Sequence, residues 1–355
     1  MARKATRRLS MSRYSDEERS LIIDYLMALK ASYIREFLEQ HELAKSGTKD
    51  ELRERVVEVL DEGDLTYPDL VRWIDQIEPW GKQHVYLFTG PEGRLIDNWR
   101  DEQWVRRRLE QYHVDQYFNA HIPLILPSEL SLSSIGYSNN TVRIAAVERR
   151  EYWERDQDKD EVRHTEDGEE VELRAFVHHV KRGMVSFEWN LTSNNAMLQI
   201  SQLHRGTKYE VVRERFEALV QPWLDISHFS PIGLSRVIAR LHEAEESGRP
   251  ETRSHSLDWM SLGGRRLSGR SPSSHDSLLG EDVIDNAMSN IRRQGVGHLG
   301  NFYWLARDAS PAHNNPLESE VHVYIVASQG RVAFPTPNTQ EIVRYVLSRV
   351  RALSS

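Results

Sequence analysis

The sequence predicts an α+β protein in which a small helical N-terminal domain precedes a mixed body of helices and strands. Two observations support this prediction. Between residues 16 and 77, apolar residues recur at intervals of three and four, which is the spacing of helices with one buried face. From residue 120 to 205 the pattern is mainly that of strands, and helical spacing returns afterwards. This order of elements is typical of α+β folds.

Composition excludes several classes of protein. The chain has 355 residues, enough for two or three domains with a core in each. An apolar content of 39% and nine Trp exclude wholesale disorder. The absence of Cys excludes disulfides, thiolate metal sites and cysteine nucleophiles. The formal net charge of -8 indicates that any site for a polyanion is local.

No part of the sequence has the pattern of a membrane or secretion segment. No apolar run approaches the roughly 20 residues that a membrane-spanning helix needs, and no signal-peptide core is visible. We therefore expect a soluble intracellular protein without a membrane partner, located in the cytoplasm at the nucleoid or in a nucleus.

Changes in composition divide the chain into five segments. The first 13 residues contain five basic residues and no acidic one, which indicates a solvated tail or an arm that lies along a phosphate backbone. A later run rich in Ser, Gly and Arg predicts a linker. The segments are a basic disordered arm (1–15), a helical domain (16–80), an α+β domain (81–246), a linker or long loop (247–277) and a C-terminal α+β segment that packs on the body (278–355), with the body in one or two lobes.

Periodicity predicts the individual elements in order. The helical domain contains four helical patterns and is followed by a strand at 84–88. In the body, alternation predicts a strand at 142–147 and a hairpin of 171–180 with 184–190, in which Gly183 supplies the turn. The remaining predictions are helices at 98–113, 207–220, 232–246 and 281–293, a strand at 302–306, and a hairpin of 321–326 with 331–334.

A last helix is predicted after residue 337. Asn338 and Glu341 have the spacing of a helix cap, and apolar residues then repeat on one face. The expected buried stripe consists of Ile342, Val346, Leu347 and Val350.

Three motifs that resemble ligand sites lack the context that such sites need. Residues 295–300 match G-x-G-x-x-G, but a helical pattern precedes them and a strand follows, so a helix C-cap is the simpler interpretation. Residues 156–160 have the spacing that opens an EF-hand, without its Gly at position six or Glu at position twelve. His178 and His179 are adjacent on a predicted strand and point to opposite faces. We therefore expect no cofactor and no metal.

A nuclease is the main enzymatic alternative, because clustered carboxylates could hold Mg²⁺ against a scissile phosphate. The candidates Glu172, Glu188 and Asp225 lie on or beside predicted strands. No diagnostic spacing connects them, and ordinary surface carboxylates explain them as well. We expect no catalytic residue.

The stretch LAKSGTKDEL, residues 43–52, has the features of an anion-binding turn. Thr48 and Glu51 have the spacing of a capping box at the start of a helix, and Gly47 permits a tight turn before it. The backbone N–H groups that begin the helix would then point outward at its positive end. Lys45 and Lys49 flank this point, although a capped turn with solvated lysines is the plainer alternative.

The stretch from 32 to 60 resembles a SAP domain, a helix–extended loop–helix module that binds DNA. The resemblance lies in the apolar set Ile34, Phe37, Leu38 and Leu43, in Ser46-Gly47-Thr48-Lys49, and in Glu51-Leu52 and Arg55-Val56. It implies that the turn and the adjoining helix ends approach the DNA backbone, with a preference for shape or AT-rich tracts. This sequence departs from the pattern in its acidic residues, since residues 1–62 contain 12 Lys and Arg against 13 Asp and Glu.

The longer N-terminal order is also similar to the helical head of the centromere protein N family. The similarity lies in the helix that follows Thr48, in Gly-Asp-Leu-Thr at 63–66, and in the helix and strand after it. It implies recognition of nucleic acid in a chromatin setting and an α+β body.

These observations predict a non-enzymatic protein that binds the DNA backbone with weak sequence preference. The expected contacts are Lys30, Lys45, Ser46, Gly47, Thr48, Lys49 and Arg53. The body would dimerise, recruit a protein partner or extend the DNA surface. The alternatives are a nuclease or genome-defence effector that the same module brings to DNA, and an interaction scaffold whose helical domain binds protein.

Overall fold

The structure is a computed structural model that describes residues 14–310, 312 and 314–355. Within these residues, four helices form an N-terminal head, and their apolar faces enclose a core of their own that includes Ile22, Ile34, Phe37 and Leu52. The helices are α1 (Asp16–Ala28), α2 (Ala31–Gln40), α3 (Lys49–Glu62) and α4 (Tyr67–Ile77). The helical N-terminal region is thus confirmed. The basic segment before Tyr14 lies outside the described residues.

The body is built on one large antiparallel sheet. The strands are β1 (Gln83–Thr89), β2 (Ser131–Ser138), β3 (Thr141–Arg155), β6 (Phe176–Asn190), β7 (Asn195–Ser201), β8 (Ser230–Pro231), β9 (Thr252–Ser261), β10 (Arg266–Arg270), β11 (Gly295–Trp304), β12 (Val321–Val326) and β13 (Arg331–Phe334), while β4 (Glu161–His164) and β5 (Glu170–Leu173) form a separate pair. The strand order in the large sheet is β10-β9-β11-β12-β13-β1-β7-β6-β3-β2, and the short β8 adds to β1.

In the part of the chain that the structure describes, six further helices pack against the sheet, which confirms the predicted α+β class. They are α5 (Arg94–Arg100), α6 (Glu102–Gln111), α7 (Tyr209–Val220), α8 (Leu234–Glu246), α9 (Asp282–Gln294) and α10 (Gln340–Ser354). The helix predicted at 98–113 is two helices, because the carboxylate of Asp101 caps α6 by accepting from the N–H groups of Gln103 and Trp104. Among the described residues, no helix combines the length and the apolar character needed to cross a bilayer.

Strand β1 connects the two apolar cores of the body. Its residues Tyr86 and Phe88 belong to a core with α5, α6 and α7, whereas Val85 and Leu87 belong to a core with α8, α9 and α10. Because side chains alternate across a strand, β1 contributes to both faces of the sheet. The segments 81–246 and 278–355 therefore share one sheet.

The hairpin predicted around Gly183 is wrong. Residues 176–190 form one strand, β6, which pairs with β3 along its whole length. The chain instead reverses between β3 and β6, where β4 and β5 pair with each other. A Cβ at Gly183 would come within 2.0 Å of Nε of Arg150, so glycine is present for close packing and not for a turn.

The linker or long loop predicted at 247–277 is also wrong, because this stretch contains β9 and β10. Leu257 and Trp259 of β9 are buried in the core beside α8, and the small Ser254 is buried as well. Serine is common in loops, and here its frequency concealed the alternation of a strand.

The C-terminal part contains one local prediction that is confirmed and one that is wrong. Gly295 is the C-cap residue of α9, as expected, and residues 295–300 then begin β11, where a Cβ at Gly297 would come within 2.8 Å of Ile238 in α8. The N-cap of α10 is Thr339, whose Oγ1 accepts from the N–H of Ile342, and not Asn338. The helix therefore buries Val343 with Val346, Leu347 and Val350, while Ile342 is only partly buried.

The head is joined to the sheet by a buried group of charges. The guanidinium of Arg182 in β6 forms ion pairs with Asp75 of α4 and with Glu78, which follows that helix, and its side chain is 1% exposed. Asp75 also accepts a hydrogen bond from His121 Nε2 at 2.6 Å. Arg182 Nε donates to the carbonyl of Leu124 at 3.3 Å. The position of the head thus depends on charges that are withdrawn from water.

Candidate nucleic-acid interface

The turn between α2 and α3 has the local structure that its sequence predicts. The N–H of Thr48 donates to the carboxylate of Glu51 at 2.6 Å, and the N–H of Glu51 donates to Oγ1 of Thr48 at 3.4 Å, so the capping box is confirmed. Gly47 has a φ of +123°, a region that side chains with a Cβ rarely adopt. All residues from 44 to 51 are exposed.

The capping box leaves two donors at the start of α3. The first four N–H groups of a helix have no partner inside it, and the cap satisfies those of Thr48 and Glu51. The N–H groups of Lys49 and Asp50 therefore face outward at the positive end of the helix dipole. This arrangement suits an oxyanion that approaches along the helix axis.

Two arginines donate hydrogen bonds to the backbone carbonyls of the turn, and the sequence alone did not predict this role. Arg55 Nη1 donates to the carbonyls of Ala44 at 2.7 Å and Ser46 at 3.0 Å. Arg35 Nη2 donates to the carbonyl of Gly47 at 3.3 Å. Both residues therefore occupy the carbonyl groups of the turn and fix its shape. The sequence offered one signal, because Arg55 follows Glu51 by one helical turn and so lies on the same face.

The basic residues predicted to contact DNA differ in whether they already form ion pairs within the protein. Lys45 forms an ion pair with Glu39, and Arg53 forms one with Asp24 of α1 at 2.7 Å. In the described part of the chain, Lys49 and Lys30 form no ion pair. Lys30 is the N-cap residue of α2 and is partly buried. The turn thus presents Lys49 directly, whereas Lys45 and Arg53 would first have to leave their partners.

Acidic residues surround the same turn. Glu51, Glu54 and Glu58 line a shallow depression with Ser46 and Gly47. Hydrogen bonds from the backbone N–H and the side chain of Thr48 hold the pKa of Glu51 below its ordinary value, so this carboxylate stays charged at neutral pH. The local field is therefore mixed in sign, which limits attraction for a polyanion.

The carboxylates considered for a nuclease each have a separate structural role. Glu188 forms ion pairs with Arg143 and Arg344, Asp225 caps a short turn by accepting from the N–H of Ser227, and Glu172 of the exposed strand β5 forms an ion pair with Arg174 at 3.3 Å. Across residues 14–310, 312 and 314–355, no group of three or more His, Asp or Glu has a geometry that could hold a metal ion.

Two comparisons with known proteins identify no relative of this chain. No protein-family model matches the sequence, and a search of curated proteins finds no significant match. The chemistry and geometry of its own residues are therefore the basis for a proposed function.

Proposed function

We propose that the helical head binds the phosphate backbone of DNA through the turn at residues 43–52, with little preference for base sequence. The observation that supports this proposal most directly is the exposed start of α3, where the N–H groups of Lys49 and Asp50 have no partner within the helix. Ser46 adds a hydroxyl beside these donors, and Lys49 adds a charge that has no ion-pair partner among the described residues. The resemblance of the turn to a SAP domain supports the same function.

The arginines behind the turn also favour this proposal. By donating to the carbonyls of Ala44, Ser46 and Gly47, Arg35 and Arg55 neutralise the acceptors that would repel a phosphate. They also fix the loop before a ligand arrives, which reduces the entropy lost on binding.

The ion pairs at Lys45 and Arg53 weaken binding without preventing it. Both pairs are exposed, with side-chain exposures of 52% for Lys45 and 40% for Arg53. Exposed ion pairs contribute only about 0–1 kcal/mol each, so the exchange of a carboxylate for a phosphate requires little free energy. We therefore propose a modest affinity that depends strongly on salt.

The test is to replace Lys45 and Lys49 together by Glu and to measure binding of a fluorescent DNA duplex by anisotropy at about 50 mM and about 200 mM salt. We expect the affinity at low salt to fall by about tenfold or more. The slope of log K against log salt is negative, and its magnitude should become smaller by about two, because each lost phosphate contact means that close to one counterion fewer is released.

The matched control reverses two charges outside the head. Lys159 and Arg163 lie in the segment between β3 and β6, and their side chains are 67% and 66% exposed. The double change of Lys159→Glu and Arg163→Glu alters the net charge by the same amount. Equal losses in the two double variants would show a general charge effect, and unchanged binding by the Lys45→Glu, Lys49→Glu variant would remove the turn from the interface.

A further inference from the structure

A cleft of about 830 Å³ lies between the helical head and the sheet. Its head side consists of α4 and the turn after it, including Arg72, Asp75 and Trp80. Its other side is the face of β2, β3, β6 and β7 that turns away from the core with α5, α6 and α7. The volume falls in the range of about 300–1,000 Å³ that is usual for small-molecule sites.

The floor of the cleft is made of small and polar side chains. Ser134, Ala145, Ser186 and Gln199 are paired across four neighbouring strands, and Gly136, Arg143 and Glu188 form the next row. A sheet face that packs on helices is normally filled by large apolar residues, as in the cores on either side of β1. Here the small side chains keep the floor open.

Both carboxylates of the cleft are already paired with cationic side chains of the protein. Asp75 accepts from His121 Nε2 and pairs with Arg182, and its side chain is 5% exposed. Glu188 accepts from Arg143 Nε at 2.8 Å and from Arg344 Nη1 and Nη2, each at 2.8 Å. Burial opposes ionisation of Glu188, but these arginines outweigh it and lower its pKa. The negative charge of both carboxylates is therefore balanced by arginines, which does not favour a cationic ligand.

Hydrogen-bond donors, by contrast, are available on both sides. Nη1 and Nη2 of Arg143 make no hydrogen bond within the described residues, and its side chain is 54% exposed. Arg72 has only a long 3.4 Å contact with Asp69 and is 53% exposed. The Oδ1 of Asn119 accepts from the N–H of Tyr137, and its Nδ2 donates to no residue in the described ranges.

We propose that this cleft binds a small phosphate monoester, with the phosphate between Arg72 of the head and Arg143 of the sheet. Two guanidinium groups, one from the head and one from the sheet, match a group with three oxygens and close to two negative charges better than they match a single carboxylate. The organic part of the ligand lies against Pro79, which is partly exposed in the cleft beside the buried Trp80 and Met184. Binding would connect the head to the sheet.

The test is thermal unfolding of the full chain with inorganic phosphate, AMP, adenosine and succinate as probes. We expect phosphate and AMP to raise the melting temperature with concentration, by about 5 °C when AMP is at 100 times its Kd. Adenosine and succinate should have little effect. No shift with AMP at about 10 mM would overturn the proposal for a site of ordinary affinity, as would an equal shift with succinate.

Variants locate the effect in the cleft. Arg143→Gln should raise the AMP concentration needed for half the shift by about tenfold or more, because a bidentate contact is lost. Arg163→Gln, which removes an exposed arginine of the β4–β5 pair, should leave it unchanged. If Arg143→Gln does not fold, Arg72→Gln decides in its place. An unchanged response in the folded variant would overturn the site.

The same measurement separates this site from the turn in the head. A phosphate could also bind at the start of α3, and no residue of that turn lines the cleft. The Lys45→Glu, Lys49→Glu variant should therefore keep the full response to AMP. Loss of the response in that variant would place the phosphate at the turn and refute the cleft as its site, whatever the outcome for DNA.

Discussion

At the scale of single residues, burial and a neighbouring cation together control the protonation of His84. Its ring lies 3.7 Å from the ring of Tyr209, and the guanidinium of Arg331 donates to its Nδ1. Burial, followed by the charge of Arg331, lowers the pKa of His84 to about 3. The imidazole is therefore neutral in the folded protein at pH 7 and serves as an acceptor.

This lowered pKa predicts a loss of stability in acid. Between pH 6.5 and about 3, the unfolded chain binds a proton at His84 that the folded protein cannot bind, so the free energy of unfolding falls as the pH falls. The free energy of unfolding, measured with urea, should fall between pH 7 and pH 4.5 by about 2–3 kcal/mol less in His84→Gln than in the wild type. His164→Gln, at an exposed position of β4, controls for removal of an imidazole. An equal loss of stability in the wild type and in His84→Gln would contradict the lowered pKa of His84.

At the scale of elements, cross-strand packing decides the course of β6. Lys181-Arg182-Gly183 has the composition of a hairpin turn, yet these residues pair with Glu148, Arg149 and Arg150 in the middle of the β3–β6 ladder. Arg150 lies across Gly183 and is held there by Glu148 at 2.7 Å and by the carbonyl of Ser201 at 3.1 Å. The strand continues because the partner strand supplies hydrogen bonds that a turn would lose.

This packing predicts that Gly183→Ala is destabilising. The new methyl would overlap Nε and Cζ of Arg150, which cannot leave without breaking its contacts to Glu148 and Ser201. We expect a loss of about 1–3 kcal/mol in the free energy of unfolding, measured with urea. Gly136→Ala in β2 is the matched control, since its nearest neighbour would be at 3.8 Å, an ordinary contact. A neutral Gly183→Ala would mean that Arg150 has a second position.

Elements with a strong period could be predicted, and those defined by partners could not. The helices of the head, α7, α8 and the hairpin of β12 with β13 follow from spacing and from Gly330, which has a φ of +65°. The pair β9–β10 was missed because Ser residues fill positions that a strand usually gives to larger side chains. Their burial depends on α8 and on β11, which are distant in sequence.

At the scale of the whole molecule, the joint between head and sheet depends on Arg182. Its guanidinium is 1% exposed and balances Asp75 and Glu78, both of which come from the head side of the interface. Loss of the cation would leave two carboxylates in a site of low polarity, and a broken buried pair typically costs about 3–5 kcal/mol.

The prediction is that Arg182→Met destabilises the protein by about 3–5 kcal/mol in urea unfolding. Adding Asp75→Asn and Glu78→Gln to this variant should recover most of the lost stability, because no unpaired carboxylate then remains buried at the joint. Arg149→Met, which breaks an exposed pair with Glu151, should cost less than about 1 kcal/mol. Failure of the triple variant to recover would indicate that Arg182 stabilises the joint mainly by its shape.

The sequence by itself determined the features that depend on neighbours along the chain. It defined the α+β class, the helices of the head and the capped turn at Gly47 and Thr48, because periodicity, capping and glycine backbone freedom act within a few residues. The resemblance to a DNA-binding module also rests on such local residues.

Only the tertiary structure decided which distant residues meet. It placed Arg35 and Arg55 behind the turn, joined β1 to β13 and β7, and enclosed a cleft between Arg72 and Arg143. These contacts connect residues up to about 250 positions apart, as in the pair His84–Arg331. Burial and charge pairing act through space, so their outcome is set by the assembled fold and has no short-range pattern in the sequence.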